Sequence, residues 1–209
     1  MQCNLIKVCG MRDSENIRSL ELLKPDWMGF ICWPKSSRYV DTIPDYLPST
    51  KRVGVFVNAE IEFIKKKTED LGLTHIQLHG DESADFCNEL KSVLQKPIIK
   101  AISVSCVEDI KKAGRYEGIA DYLLFDTKCT CVGGSGVQFD WDILQHYKGN
   151  TPFLLSGGIG PNDAERLKKF NHPACIGIDI NSRFEDAPAL KNIDKIKDFF
   201  KQISHIQRI

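Results

Sequence analysis

Short apolar segments rich in β-branched residues alternate with longer amphipathic segments along the whole chain. The eight apolar segments are "NLIKV" (4–8), "WMGFI" (27–31), "RVGVFV" (52–57), "HIQL" (75–78), "PIIKAI" (97–102), "DYLLFD" (121–126), "PFLLS" (152–156) and "ACIGIDI" (174–180). Strands that alternate with helices form a parallel sheet with right-handed crossovers, and eight such units close into a (β/α)₈ barrel. The repeat predicts one α/β domain over residues 1–209, a TIM barrel. A doubly wound open sheet is the structural alternative, which the lack of an edge-strand signal disfavours.

The amphipathic segments predict helices from their start and stop signals. Asp13 suits the N-cap of a helix over 13–23, and Gly72 suits the end of a helix that begins at Ile61. Further helices are predicted near 41–47 and over 83–94, 107–116, 140–147, 162–170 and 193–203.

Charge and cysteine usage exclude several classes of protein. The chain has 28 Lys and Arg against 28 Asp and Glu, so it lacks the basic surface that nucleic acid or an anionic membrane attracts. It also lacks an apolar run of about 18 residues that could span a membrane. Eight scattered cysteines without a secretory signal predict reduced thiols in a cytoplasmic protein. "CTC" (129–131) has no nearby ligand partners, so no metal site is predicted.

Several reactive side chains follow the predicted strands at their carboxyl ends, where barrel enzymes carry their active sites. Cys9 follows the first strand, and alternation places it with Lys7 on the face toward the barrel axis. We expect Lys7 to lie beneath the site, paired with an inward carboxylate. The other strand-end candidates are His79, Asp126, Asp179 and Ser182, with Arg38 in the loop after the second strand.

Two glycine-rich loops follow the sixth and seventh strands: "VGGSG" (132–136) and "SGGIG" (156–160). Glycine clusters allow backbone N–H groups to converge on an anion. In a (β/α)₈ barrel the loops after the seventh and eighth strands often form a phosphate site. The sequence therefore predicts that the ligand carries a phosphate group.

The motifs at the strand ends resemble those of the phosphoribosylanthranilate isomerase family of tryptophan biosynthesis, and they occur in the same order. The motifs are "KVCGM", "GFICWPKSSRYV", "VGVFVN", "QLHGDE", "LLFDT" with "GGSG", "LSGGI" and "GIDINS". The resemblance implies a cofactor-free Amadori rearrangement of N-(5′-phosphoribosyl)anthranilate to the anilino-deoxyribulose phosphate. It implies a small phosphoribosyl substrate as the partner, and the sequence leaves open whether the enzyme is a monomer or a homodimer.

The resemblance also implies roles for individual residues. Asp126 would be the general acid, kept protonated by burial, and Cys9 the general base, with its pKa lowered from about 8.5 by a nearby cation. Arg38 would clamp the anthranilate carboxylate. Gly157, Gly158 and Ser182 would hold the phosphate, Asp179 would bind a sugar hydroxyl or support the phosphate loop, and His79 would contact substrate. Taken alone, Cys9 also fits a core residue and His79 a hydrogen-bonded structural residue.

One position departs from the family pattern. A glycine often follows the serine of the loop after the eighth strand, and this chain has Arg183 there. Arg183 either reaches the phosphate or lies at the surface. Because Glu185 and Asp186 follow closely, we expect it to face solvent or to pair with Glu185, with little energetic consequence.

The sequence is less consistent with four other functions. A related isomerase of histidine biosynthesis typically has a carboxylate where this chain has Cys9, and indole-glycerol-phosphate synthase needs a lysine and glutamate set that is missing here. A metal-dependent epimerase needs more His and Asp at the strand ends. A phosphate-binding regulatory protein would have no reason to keep both Cys9 and Asp126.

Overall fold

The fold was analysed in a computed structural model, which describes residues 5–127 and 140–204. Eight parallel strands form a closed barrel: β1 (Leu5–Cys9), β2 (Trp27–Ile31), β3 (Lys51–Phe56), β4 (His75–Leu78), β5 (Ile98–Val104), β6 (Tyr122–Thr127), β7 (Phe153–Ser156) and β8 (Cys175–Ile180). β1 pairs with both β2 and β8, so the sheet has no free edge. The predicted barrel is confirmed, and the open sheet is wrong. The prediction that all 209 residues form one domain extends beyond the described ranges and stays a prediction.

Within the described ranges, six α-helices surround the barrel: α1 (Ser14–Glu21), α2 (Ile61–Leu71), α3 (Ala84–Leu94), α4 (Val107–Ile110), α5 (Ala164–Lys169) and α6 (Ile193–Ser204). Their ends follow the sequence signals. Asp13 accepts a hydrogen bond from the Asn16 backbone N–H at 2.8 Å, and Gly72 ends α2 with a left-handed φ of 54°. A side-chain oxygen at the N-cap and a glycine at the C-cap satisfy backbone groups that the helix itself leaves unpaired.

Three connections differ from the predicted helices. No helix forms near 41–47, because Pro44 lacks an N–H donor and disfavours a helical conformation at the residue before it. The segments Lys111–Tyr116 and Trp141–His146 are 3₁₀ rather than α-helical. The chain also contains an unpredicted antiparallel pair, β9 (Glu185–Ala187) and β10 (Leu190–Lys191), directly after the β8 loop.

The apolar core has two parts, one on each side of the barrel wall. The larger part lies between the strands and the outer elements and includes Val8, Phe56 and Phe125, all without solvent exposure. The smaller part fills the interior with Trp27, Val53, Ile99, Ala101, Leu124 and Leu154. Because side chains alternate across a strand, the residues that face the interior near the carboxyl ends of the strands are those available to a ligand. Within the described ranges, no helix is long and apolar enough to cross a membrane.

Candidate active site

A cavity of about 430 Å³ opens at the carboxyl ends of the barrel strands. It is lined by seven of the eight site residues predicted from sequence: Cys9, His79, Asp126, Gly157, Gly158, Asp179 and Ser182. Arg38 lies outside this lining. Trp33, which is 36% exposed, contributes an aromatic surface at the entrance. The predicted glycine loop at 132–136 and the "CTC" sequence lie outside the described residues.

Cys9 sits at the end of β1 above a buried ion pair. The Lys7 ammonium lies 3.0 Å from Asp179 Oδ1, and both side chains are almost fully buried. The predicted pairing of Lys7 with an inward carboxylate is thus confirmed. Burial lowers the pKa of Lys7, but Asp179 and Cys9 outweigh it and raise that pKa overall. Burial raises the pKa of Asp179, although Lys7 acts in the opposite direction.

The thiol of Cys9 does not have the lowered pKa that the sequence suggested. Burial raises the pKa of Cys9, and it outweighs the cations Lys7 and Lys191, which act to lower it. Only 4% of the residue is exposed, so water cannot stabilise a thiolate there. A nearby cation was predictable from the sequence, but the extent of burial was not.

Two glycines beside the thiol are required by close packing. Gly29 on β2 lies opposite Cys9, and a Cβ on Gly29 would lie 2.6 Å from Cys9 Sγ. Gly10 has a φ of 81°, and a Cβ there would lie 2.7 Å from Asn181 Oδ1. Any larger residue at position 29 would therefore displace the thiol. Gly29 was not predicted as a site residue, because its position in the sequence has the pattern of an ordinary strand.

Asp126 and His79 face each other across the cavity. His79 Nε2 lies 3.5 Å from Asp126 Oδ2, and the side chains are 32% and 21% exposed. The other ring nitrogen, His79 Nδ1, lies 2.8 Å from Gln77 Nε2. Gln77 also lines the cavity and is 1% exposed. It was not singled out from the sequence, although it stands two residues before His79 and therefore on the same face of β4.

Arg38 is held by a carboxylate of its own chain. Its Nε and Nη2 donate to both carboxylate oxygens of Glu185, at 2.6 to 3.0 Å. Glu185 also accepts from the buried Lys191 ammonium, which donates to Asn181 Oδ1 as well. Burial acts to raise the pKa of Glu185, but Arg38 and Lys191 hold it below its usual value. Glu185 and Lys191 were missed as site residues, because their roles depend on the unpredicted β9–β10 pair.

The loops after β7 and β8 form the other end of the cavity. Gly157 and Gly158 both have positive φ angles, 92° and 66°, which favour glycine. The Gly158 N–H donates to no acceptor in the described part of the chain. Ser182 begins a short 3₁₀ turn beside them. The N–H of Gly158 is therefore available as a donor to an anion.

Arg183 does not pair with Glu185, which was one of the two arrangements expected from the sequence. Glu185 is already engaged by Arg38 and Lys191. Arg183 is exposed, as expected, but it lies along the glycine loop. Its Cδ would be 3.0 Å from a Cβ on Gly160, and its Nε and Nη2 would be 3.9 Å from a Cβ on Gly158. Among the described residues, no carboxylate forms an ion pair with it.

The residues in the described ranges contain no group of three or more His, Cys, Asp or Glu side chains arranged to hold a metal ion. The site instead offers a thiol, a carboxyl group, an imidazole and backbone donors around one cavity. Such groups are suited to proton transfer on a bound anion.

Comparison with known proteins gives a consistent family. Residues 6–202 match the family model described as N-(5′-phosphoribosyl)anthranilate (PRA) isomerase. The N-(5′-phosphoribosyl)anthranilate isomerase of Phocaeicola vulgatus is 50% identical over 200 residues, covering 95% of this chain and 97% of that protein.

Two solved structures are also similar. One is a phosphoribosylanthranilate isomerase in complex with reduced 1-(o-carboxyphenylamino)-1-deoxyribulose 5-phosphate, with 28% identity and a TM-score of 0.78. It covers 96% of this chain and 98% of its own. The other shows monomers generated from the dimeric enzyme of Thermotoga maritima, with 27% identity and a TM-score of 0.76 over 96% of this chain and 98% of its own.

Proposed function

Because the chain belongs to the N-(5′-phosphoribosyl)anthranilate isomerase family and has that family's activity in tryptophan biosynthesis, we propose that Asp126 is its general acid and Cys9 its general base. The observation that carries this assignment is that a thiol and a carboxyl group from different strands, β1 and β6, line one cavity. A turnover assay with phosphoribosylanthranilate, formed in situ because it is labile, tests the activity.

The proposed reaction requires only proton transfers from the enzyme. Asp126 donates a proton to the ring oxygen of the ribose, the C1′–O bond breaks, and the nitrogen lone pair forms an iminium ion. The Cys9 thiolate then removes the C2′ proton, and the C–H electrons form the C1′=C2′ bond of a neutral enolamine. This enolamine tautomerises to the ketone as C1′ gains a proton and the C2′ hydroxyl loses its own. Asp126 regains a proton and Cys9 gives one up before the next turnover. The products balance the substrate without an added reactant.

The raised pKa of Cys9 fits this sequence of steps. In the free enzyme, burial disfavours the charged thiolate. Formation of the iminium ion brings a positive charge to the sugar beside Cys9. This charge stabilises the thiolate form, whose proton is released to solvent through the open cavity. The ammonium groups of Lys7 and Lys191 act in the same direction.

We further propose that Arg38 binds the anthranilate carboxylate while Glu185 holds it in place. Glu185 occupies the Nε and Nη2 side of the guanidinium. Nη1 makes no hydrogen bond to the described residues, so it remains a donor for the substrate. A planar guanidinium can bind two carboxylates along two of its edges.

Arg38→Ala should weaken binding at the carboxylate end of the ligand and spare the phosphate end. A hydrogen bond between charged groups contributes about 1.5–3 kcal/mol, so the Kd of a carboxylate-bearing product analogue should rise by about tenfold or more. Inhibition by inorganic phosphate should stay within about twofold, which is well below that change. Equal losses for both ligands would show that Arg38 supports the whole cavity entrance.

Gly157, Gly158 and Ser182 are proposed to bind the phosphate through backbone donors and the serine hydroxyl. Asp179, which pairs with Lys7, is proposed to bind a sugar hydroxyl or to support the phosphate loop. Arg183 is the cation nearest this loop, and it lacks a described carboxylate partner. A dianionic phosphate would draw the guanidinium toward it. We therefore propose that Arg183 contacts the phosphate of the bound substrate.

Arg183→Gly should raise KM by about tenfold with little change in kcat, since it removes one exposed charge-assisted contact. Arg183→Lys should retain part of the affinity because it keeps the charge. Arg18→Ala, which removes an exposed arginine on α1, serves as the control for a general change in surface charge. A KM within about twofold of wild type for Arg183→Gly would return Arg183 to a surface role.

The partner of this site is a small phosphoribosyl substrate, and the balanced charge supports neither a nucleic acid nor a membrane as a further partner. The five free cysteines within the described ranges support a reducing, cytoplasmic location. Both a monomer and a homodimer are compatible with the related Thermotoga maritima structure. Sedimentation of the purified chain would distinguish them.

A further inference from the structure

Gln77 is a buried amide that the reaction described above does not use. It lies on β4, lines the cavity and is 1% exposed. Its Oε1 is the one buried side-chain nitrogen or oxygen without a hydrogen-bond partner in residues 5–127 and 140–204. An unpaired buried carbonyl is unfavourable, and an apolar side chain of the same length would avoid that cost. An amide at this position therefore needs a reason other than filling the barrel.

The contact with His79 supplies such a reason. Gln77 Nε2 lies 2.8 Å from His79 Nδ1, and an amide nitrogen can only donate. With the amide nitrogen on this side, His79 Nδ1 is the acceptor, and a neutral ring then carries its single proton on Nε2. That N–H points toward Asp126 Oδ2 at 3.5 Å. A second proton on the ring would be on Nδ1, where it would be repelled by the amide hydrogens of Gln77.

We propose that Gln77 is a positioning residue that fixes His79 as the neutral Nε2–H tautomer and thereby preserves the proton on Asp126. An imidazolium beside Asp126 would favour the carboxylate form and weaken the general acid. A neutral Nε2–H donor avoids this, and it can still hydrogen-bond the carboxylate once the proton has moved to the ring oxygen. This inference rests on the proposed role of Asp126 as the acid.

Other charged groups near His79 do not replace Gln77 in this role. Asp126 on β6 and Asp179 on β8 are the acidic groups on neighbouring strands that face His79. An adjoining cavity of about 480 Å³ next to His79 is lined by Asp81, Lys100, Lys112 and Arg115. Lys100 is bound to Glu82, and Lys112 to Asp109. Only Gln77 makes a hydrogen bond to Nδ1 in the described part of the chain.

The first test is nitrogen-15 NMR of the histidine side chains in the wild-type protein, with His79 assigned by its loss in His79→Asn. We expect His79 to be protonated at Nε2 and not at Nδ1 at neutral pH. A ring protonated at Nδ1, or an imidazolium at neutral pH, would overturn the proposal. This measurement does not depend on which residue is the acid, so it separates a failure of this inference from a failure of the proposed mechanism.

The second test reverses the polarity of the contact with Gln77→Glu. A carboxylate can only accept, so it should draw a proton onto Nδ1 and stabilise the imidazolium. The alkaline limb of the kcat profile should then move to lower pH by about one unit, because an opposite charge close to a carboxyl group lowers its pKa by about 1–3 units. We expect kcat at neutral pH to fall by about tenfold.

Two further variants keep this test decisive. Gln77→Met removes the donor without adding a charge, so both neutral tautomers of His79 should become populated and kcat should fall. The alkaline limb should not move, in contrast to its shift in Gln77→Glu. Gln145→Glu changes an exposed amide that donates to the Asn171 carbonyl and should leave the profile unchanged. If Gln77→Glu fails to fold, the NMR result and Gln77→Met decide the matter. Unchanged His79 protonation and an unchanged pH profile in folded Gln77 variants would refute the inference.

Discussion

Cys9→Ser should lower kcat by about 10²- to 10⁴-fold, the range typical of losing a general base. Serine keeps nearly the same shape, but its hydroxyl cannot ionise at working pH, so the C2′ proton has no acceptor. Binding should survive, because the ion pair between Lys7 and Asp179 and the phosphate loops are unchanged. Steady-state turnover together with the Kd of a reduced product analogue measures both quantities.

Cys32→Ser is the matched control for this prediction. Cys32 is also buried, and burial raises its pKa to about 12, but it does not line the cavity. The Cys32→Ser variant should have a lower free energy of unfolding and an unchanged kcat. The difference in thiolate absorbance between the wild-type protein and Cys9→Ser reports on Cys9 alone. It should titrate with a midpoint above about pH 8.5, because burial disfavours the charged form of Cys9. Near-normal turnover of Cys9→Ser would remove Cys9 from the role of base.

Asp126→Asn should lower kcat by a similar factor of about 10²–10⁴, because an amide cannot deliver a proton to the ring oxygen. Without that proton the ring does not open, and the iminium ion that acidifies the C2′ proton does not form. The size and hydrogen-bonding reach of the side chain are nearly unchanged. The loss should therefore appear in kcat, with product affinity retained.

Asp121→Asn is a matched control, because Asp121 directly precedes β6, the strand that carries Asp126. Asp121 precedes β6 at the opposite end of the barrel, where it accepts from Lys91 and from the Ile98 N–H. Its substitution should reduce the free energy of unfolding and leave kcat near wild type. An Asp126→Asn variant with a raised KM and a normal kcat would make Asp126 a binding residue, and another acid would have to be sought.

The barrel was predictable because its signals are local and repeated. Alternation of apolar strands and amphipathic helices identified all eight strands, and the caps at Asp13 and Gly72 marked helix ends correctly. Predictions failed where short segments lacked regular structure, as at 41–47, where Pro44 outweighed a weak helical pattern. The β9–β10 pair was missed because two or three residues are too few to show a period.

The sequence by itself determined that Cys9 and Asp126 follow barrel strands, and therefore that they meet at one end of the fold. Only the tertiary structure decided what surrounds them. It set Glu185 against Arg38 across 147 residues of chain, paired the Gln77 amide with the imidazole of His79, and buried Cys9 enough for desolvation to outweigh two nearby ammonium groups. Residue type and spacing establish which groups can take part in the chemistry. Partners, distances and burial arise from packing between distant segments, and these set the charge that each group carries.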